Sequence, residues 1–521
     1  MSTLISRNPA TGETLQSLEQ TATQDLPTLF HQARQAQVYW GALPLKQRVC
    51  FLLHLREVLL NHLDEIASLI SKENGKPQFE AMTNELIPSL DMLTFFAKKA
   101  PKLLKDRTIP MQIMKHRTSY INYWPVGVVA IISPWNYPFL LPFADVFMAL
   151  VAGNAVIFKP SEITPLVGLK IQELCNEAGL PPFVLQTVIG DGPLGAAIIQ
   201  QKPNKIFFTG SVNTGKKIMA AAAEHLIPVN LELGGKDAMI VLADADLDFA
   251  TSAALWGSFS NSGQVCASVE RILVHERVAQ PFLNQLKDKV AQLRPLDPTL
   301  PDAFANDLGV LTYERQKAVY TKHLEEAKAK NAQILTGGHF SEDQRALRPT
   351  IVTGPEVENL EIYNEETFGP VVAVTTFKSI AEAVEKTNRN RYGLVASIIT
   401  PNLHLAEEIA KQLAVGTVTI NEVVYTAGLG ETPWGGVKES GFGRTHSEAG
   451  LHEFVNIRHI HKPKFQFLVF KSLWWFPYGP FQYNTFRQFA ALYRRSWIAK
   501  LKAIPDFLWN FVKFIKNEKR I

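Results

Sequence analysis

Three short stretches hold the residue types from which acyl chemistry can be built. "NSGQVCASVE", residues 261 to 270, sets one cysteine, Cys266, among small and polar neighbours. Such a thiol is either a small buried apolar group or a nucleophile, the second if it lies at a turn with a group nearby to take its proton. "SPWNYP" places Asn136 on a proline-bounded turn, where its amide either shapes the turn or donates to an oxyanion. "LELGGKD" ends a strand at Glu232 and runs into Gly234 and Gly235, so a carboxylate beside flexible glycines is available as a general base.

Three more stretches suit a nucleotide. "FFTGSVNTGKKI" passes from a strand through Gly210 and Ser211 into a helix that opens near Gly215. Glycine there lets backbone approach a phosphate, and a helix N-terminus favours its charge. The spacing is not G-x-G-x-x-G, so the stretch also reads as a plain turn. "NAVIFKPSEITP" ends a strand with Lys159 and Glu162, which either bind ribose hydroxyls or form a solvated strand end. "EETFGP" sets Glu366 and Phe368 in a loop, where a helix cap is the other reading.

These residues need a scaffold. Leu and Ile recur at helical spacing in "LKQRVCFLLHLREVLLNHLDEIASLISKENGK", which ends at Gly75, and residues 1 to about 110 read as helices between loops. "SYINYWPVGVVAIISP" reads as strand, turn and strand. Thereafter apolar β-branched runs alternate with helical stretches, once before Glu232 and again after it. Continuous apolar strands separated by helices predict parallel sheets covered on both faces. The fold class is therefore α/β, with two doubly wound parallel-sheet domains. Cys50, Cys175 and Cys266 form neither a disulfide framework nor a zinc pattern, which fits a reducing compartment. No secretory signal and no run of roughly 18 to 20 apolar residues is present, so a cytoplasmic protein is expected.

Taken together and in order, "SPWNYP", "FKPSE", "FTGS…G", "ELGGKD", "SGQVCAS", "EETFGPV" and "PWGGVKESGFGR" resemble the aldehyde dehydrogenase superfamily from residue 5 to about 460. The resemblance implies that Cys266 attacks an aldehyde, that Asn136 and the Cys266 N–H hold the oxyanion, and that Glu232 activates water to hydrolyse the thioester. It implies NAD as cofactor, with NADP possible if Glu162 swings out, and no metal. Lys159, Ser161, Glu162, Gly210, Ser211, Gly215, Leu233, Trp135, Glu366 and Phe368 would surround that cofactor. Tyr137, Leu141, Phe143, Ala144 and Trp434 would line the substrate passage, or serve simply as core.

The resemblance also implies a cofactor domain of residues 1–117 and 131–232 and a catalytic domain of 233–420. An oligomerisation arm of 118–130 and 445–462 would make a homodimer or homotetramer. One departure concerns the residue after Arg444: many members have glutamate, whereas this chain has Thr445, followed by His446, which reads as a surface histidine. The loop "NEVVYTAGLGETPW" has no Lys or Arg for a substrate carboxylate, and its Glu431 would repel one. A long or aromatic aldehyde is expected; a small semialdehyde, a CoA-acylating enzyme and a catalytically silent membrane-binding protein are the alternatives.

Residues 463–521 lie outside the family pattern. From Lys462 onward a dozen Lys and Arg face two acids, Asp506 and Glu518, although the chain as a whole carries only +4. Phe486, Phe489, Tyr493, Trp497 and Leu501 recur at helical spacing, with Arg494, Arg495, Lys500 and Lys502 beside them. After Pro505, Phe507, Leu508, Phe511 and Ile515 predict a second stripe, accompanied by Lys513 and Lys516. Aromatic stripes with basic flanks suit the surface of an anionic membrane, or packing against the enzyme; no nucleic-acid module is recognisable.

Overall fold

The computed structural model describes residues 3–296, 304–342, 344–469 and 471–517. They form two units, one of residues up to 104 with 124–456, the other of 105–123 with 457 onward.

The larger unit holds two α/β sheets. In the first, the strand order is Gly441–Phe442, Val229–Glu232, Lys205–Thr209, Val128–Ile132, Ala155–Lys159, Leu185–Thr187. All neighbours are parallel except the short first strand. Val128–Ile132 and Ala155–Lys159 are buried at every residue, as continuous apolar runs between two helical layers must be. Parallel pairing sets Ile132 opposite Lys159 and Phe208, and Thr209 opposite Glu232, so the loops after these strands emerge along one edge.

The second sheet runs Gln333–Thr336, Thr350–Thr353, Val371–Phe377, Val269–His275, Asp237–Val241, Val395–Ile399, Thr417–Ile420. Only Gln333–Thr336 is antiparallel to its neighbour. This sheet turns the beginnings of its strands toward the first sheet's edge. Cys266 lies three residues before Val269, and Phe368 three before Val371.

The smaller unit contains a three-stranded sheet in the order Val455–Pro463, Arg117–Pro125, Arg107–Ile109. Compared with the expected arm of 118–130 and 445–462, it includes Arg107–Ile109, while residues 124–130 and 445–456 fall in the larger unit, 128–130 of them mid-sheet. An unbroken Val-Val-Ala-Ile-Ile run needs both faces covered, which an arm cannot provide. Two further corrections apply. Thr3–Arg7 and Thr14–Glu19 pair as an antiparallel hairpin where helices and loops were expected. The tail helices span Pro480–Ala490 and Trp497–Asn517, so the break falls near Arg494, and Pro505 lies inside the second helix. Phe489 meets Phe507 at 5.1 Å between ring centroids, and Gln488 accepts from Asn510 at 2.8 Å. Trp497, Ile498, Leu501, Leu508, Trp509 and Val512 are exposed along one face of that helix. The side chains of Lys500, Lys502 and Ile515 lie outside the described residues.

The turn before Cys266 depends on glycine. Asn261, Ser262 and Gly263 all take positive φ, at 49°, 54° and 69°. A Cβ on Gly263 would fall 2.1 Å from the carbonyl oxygen of Gly369, in the loop that carries Glu366 and Phe368. Gly263→Ala should therefore force the two loops apart, costing about 2 kcal/mol or more. Thermal denaturation should show a lower midpoint, with activity lost in parallel.

Candidate active site

Asn136 is fixed from three sides. Its backbone carbonyl accepts from Lys76 Nζ at 2.8 Å and from Asn261 Nδ2 at 3.0 Å. Lys76 is itself paired with Glu85 at 2.7 Å, both side chains fully buried. The other Glu85 oxygen accepts from the N–H groups of Phe139 and Leu140, at 2.8 and 3.2 Å, where the helix Leu140–Ala152 begins. The Asn136 amide donates one hydrogen to the Gln264 carbonyl at 3.0 Å, and its second N–H remains for another acceptor. The Gln264 side chain in turn ties the cysteine loop to Val310 and Thr312.

Cys266 is half-buried, Cys175 buried and Cys50 exposed, all as free thiols. Burial, then the carboxylates of Asp237, Glu366 and Glu232, push the Cys266 thiol well above its ordinary range. Glu232 is 7 % exposed, and neither of its carboxylate oxygens has a hydrogen-bond partner. Burial and then Asp145 raise it well above the usual carboxylate range, while Arg444 opposes them. An unpaired buried carboxyl raised in this way is the kind of group that exchanges protons during catalysis.

A second group of residues lies along the same edge. Lys159 is buried, with Glu162 at 3.5 Å. Burial is the main cause that lowers the Lys159 pKa. The Ser161 hydroxyl accepts from the Ile163 N–H at 3.2 Å. Ser211 caps the helix Val212–Ala223, accepting from Thr214 N–H. A Cβ on Gly215 would lie 2.6 Å from Leu233, so glycine permits that close packing. Gly210 sits at the strand-to-helix turn between Thr209 and Ser211. Glu366 accepts from Gly235 N–H at 3.1 Å, and burial pushes its carboxyl up to about 8. Phe368 packs edge-on to Trp135 at 5.4 Å. Glu270, paired with buried Lys236, holds the loop by accepting from Thr367 and Phe368 N–H, each at 2.8 Å. A capped helix N-terminus with Gly210 before it, and a buried ammonium with the Glu162 carboxylate beside it, fit a dinucleotide.

An apolar cavity leads to Cys266 and is lined by Tyr137, Leu141 and Trp434, as expected, and by Trp256, Val424 and Tyr425. Phe143 and Ala144 are buried but do not line it; Phe143 instead stacks on Phe139 at 4.8 Å. Trp256 comes from the helix Leu247–Phe259, whose sequence carries no signal for it, whereas Tyr425 belongs to the NEVVYTAGLGETPW loop, whose sequence does not single it out. His446 corrects the surface expectation: it is 3 % exposed, its Nδ1 has no partner, and burial lowers it to about 4. Thr445 is held by two backbone hydrogen bonds to Trp434, which draws the next residue inward.

The aldehyde dehydrogenase family model matches residues 2–460. A 4,4'-diapolycopene aldehyde oxidase of Methylomonas sp. is 39 % identical over 492 residues, covering 94 % of this chain and 91 % of the relative. A peroxisomal aminoaldehyde dehydrogenase 2 of Pisum sativum is 35 % identical over 466 residues, covering 87 % of this chain and 91 % of that one. A crystal structure of a Staphylococcus aureus betaine aldehyde dehydrogenase with NAD+ superposes with a TM-score of 0.85 at 30 % identity, covering 91 % of this chain and 96 % of the other. The chain belongs to the aldehyde dehydrogenase family, whose members oxidise aldehydes with NAD or NADP.

Proposed function

We propose that this enzyme oxidises a long, lipophilic aldehyde to its carboxylic acid. The carrying observation is the cavity at Cys266, whose lining includes no charged side chain. It offers no countercharge to the carboxylate of a semialdehyde or the ammonium of an aminoaldehyde, only the polar groups of Thr83 and Asn84 and the Tyr and Trp side chains. Each buried methylene, in contrast, contributes about 0.8 kcal/mol. The Methylomonas relative, named for a polyene aldehyde, supports the same class. Its similarity covers 94 % of the chain and so continues beyond residue 460, into the aromatic tail.

The chain's own residues carry the reaction around one external oxidant. Cys266 gives up its proton to solvent and its sulfur attacks the aldehyde carbon. The free N–H of Asn136 and the Cys266 backbone N–H stabilise the oxyanion. Lys159, Ser161, Glu162, Gly210, Ser211, Gly215 and Leu233 would hold the adenosine and phosphate side of NAD, and Trp135, Glu366 and Phe368 its nicotinamide side; bound there, it would supply the hydride acceptor that turns the adduct into a thioester. Glu232 takes a proton from water as the hydroxide oxygen attacks that thioester; the C–S bond breaks and the proton passes to sulfur.

The tail serves as a lipid-surface anchor. Trp497, Ile498, Leu501, Leu508, Trp509 and Val512 form its exposed apolar face, with exposed Arg494, Arg495, Lys513 and Lys516 for anionic headgroups. No helix among the described residues is long and apolar enough to cross a membrane. The strand Val455–Pro463 gives the arm an edge for pairing with a second copy, in a homodimer or homotetramer.

Four measurements test these assignments. Glu232→Gln should keep a pre-steady-state burst of NADH while steady turnover falls by roughly 10²-fold or more; loss of the burst as well would remove Glu232 from the hydrolytic step. Glu162→Gln, which removes the charge facing a 2′-phosphate, should raise NADP use relative to NAD by about tenfold, read as a ratio of kcat/KM values. Straight-chain aldehydes of increasing length should give rising kcat/KM. A chain ending after Lys464, which preserves the arm strand, should lose binding to phosphatidylserine vesicles. A flat length series would reject the lipophilic substrate, and unchanged vesicle binding would reject the anchor.

A further inference from the structure

The turn that delivers Cys266 is held in a costly conformation. Asn261 and Ser262 both take left-handed φ, at 49° and 54°, before Gly263 follows at 69°. A Cβ disfavours that region, so such a turn persists only where its surroundings fix it. After the turn, the Gln264 N–H closes it by donating to the Asn261 carbonyl at 3.0 Å. Before the turn, the partner is Glu80, which is 8 % exposed. Its two carboxylate oxygens accept from the Asn261 N–H at 2.9 and 3.1 Å, and one of them also accepts from the Ser260 hydroxyl at 3.1 Å. The Ser262 hydroxyl, in contrast, is buried and has no hydrogen-bond partner among the described residues.

We propose that Glu80 is a positioning residue for the nucleophile: its carboxylate clamps the left-handed turn 261–263 and so sets where the Cys266 sulfur and backbone N–H meet the aldehyde. The proposal rests on Cys266 being that nucleophile. Glu80 reaches the turn because of its own backbone. It lies in the short helix Gln78–Ala81, and Met82–Leu86 continues as a wider, π-helical turn in which the Ile87 N–H donates to the Met82 carbonyl. Residues five apart in an ordinary helix lie about 140° from each other around the axis. The wider turn draws Glu80 and Glu85 toward one side, and both are buried. Glu85 secures the Asn136 turn through Lys76, and Glu80 secures the cysteine turn. One short segment thus holds both donors of the oxyanion site, the Asn136 amide and the Cys266 N–H. Asn84, between the two carboxylates, donates to the Ser260 hydroxyl at 3.3 Å and lines the cavity.

Glu80 touches neither substrate nor cofactor in this account; it acts through the backbone of the turn. A glutamine at position 80 keeps one acceptor oxygen but turns an amide N–H toward the other contact, so the clamp opens. A change that makes the left-handed conformation easy should then replace the clamp. Ser262→Gly is that change, because glycine takes positive φ without a Cβ penalty and the hydroxyl it removes has no partner among the described residues.

The experiment is the pre-steady-state burst of NADH from the full-length enzyme with NAD and a straight-chain aldehyde, beside the dissociation constant of NADH read from its fluorescence. In Glu80→Gln the burst rate constant should fall about tenfold or more, with NADH binding unchanged. Combining Glu80→Gln with Ser262→Gly should bring the burst close to that of Ser262→Gly alone, a coupling that a merely structural role for Glu80 would not produce. Glu80→Asp, a methylene too short to reach the turn, is the second variant should Gln not fold, and the same loss and rescue are expected of it. An unchanged burst in either folded variant, a burst lost together with NADH binding, or a loss that Ser262→Gly leaves in place overturns the proposal. If Cys266→Ser keeps the burst, the nucleophile assignment fails instead, so the two failures are distinguishable.

Discussion

Parallel pairing is the constraint from which the rest of the site follows. Strands buried on both faces can be joined only by crossovers, so their ends are delivered to a common edge. In the first sheet that edge collects the residues after Ile132, Lys159, Thr209 and Glu232. The second sheet presents the opposite ends of its strands, and with them the loops bearing Cys266 and Glu366. Asn136 reaches across to Gln264, and Gly235 to Glu366. Residues far apart in sequence thus meet because two sheets meet end to end, as expected for ligand sites on α/β folds.

Charge burial divides the ionisable groups into two kinds. Lys76 with Glu85, and Lys236 with Glu270, are fully buried but paired, and their remaining oxygens accept backbone N–H groups. Such pairs bring little net stability, since desolvation offsets their attraction. Their value here is geometric: one fixes the Asn136 turn, the other the Phe368 loop. Glu232 and Asp145 are buried, and Cys266 half-buried, without ionic partners, and burial raises the pKa of each. The first kind orients; the second remains ready to exchange protons.

Much of this was legible in the sequence, for identifiable reasons. Cys266, Asn136 and Glu232 sit in glycine- and proline-marked stretches whose turns can be read locally, and continuous apolar runs announced the parallel strands. What could not be read depends on distant partners. Burial of His446 follows from the pairing of Thr445 with Trp434. Asp145 sits buried in an otherwise apolar helix, where nothing local reveals its burial. Trp256 and Tyr425 reach the cavity from separate elements. The short strand Arg107–Ile109 exists only through its pairing with Arg117–Pro125. The tail helix continues past Pro505, because a missing N–H removes one rung while the remaining turns still form.

The cavity's chemistry also limits what kind of specificity the enzyme can have. An apolar wall discriminates by area, and a single methylene changes affinity only severalfold. Tyr137, Leu141, Trp256 and Trp434 can therefore favour long aldehydes over short ones without distinguishing close homologues. Charged substrates would find no countercharge in the lining, only Thr83, Asn84 and aromatic side chains, so discrimination against them is the sharper kind. Long aldehydes partition into lipid, where their effective concentration exceeds that in water, and an exposed apolar face with basic flanks is the device that brings an enzyme to that surface. On the proposed function, the tail would bring the enzyme to the surface that concentrates such compounds, and the cavity would need only to admit them.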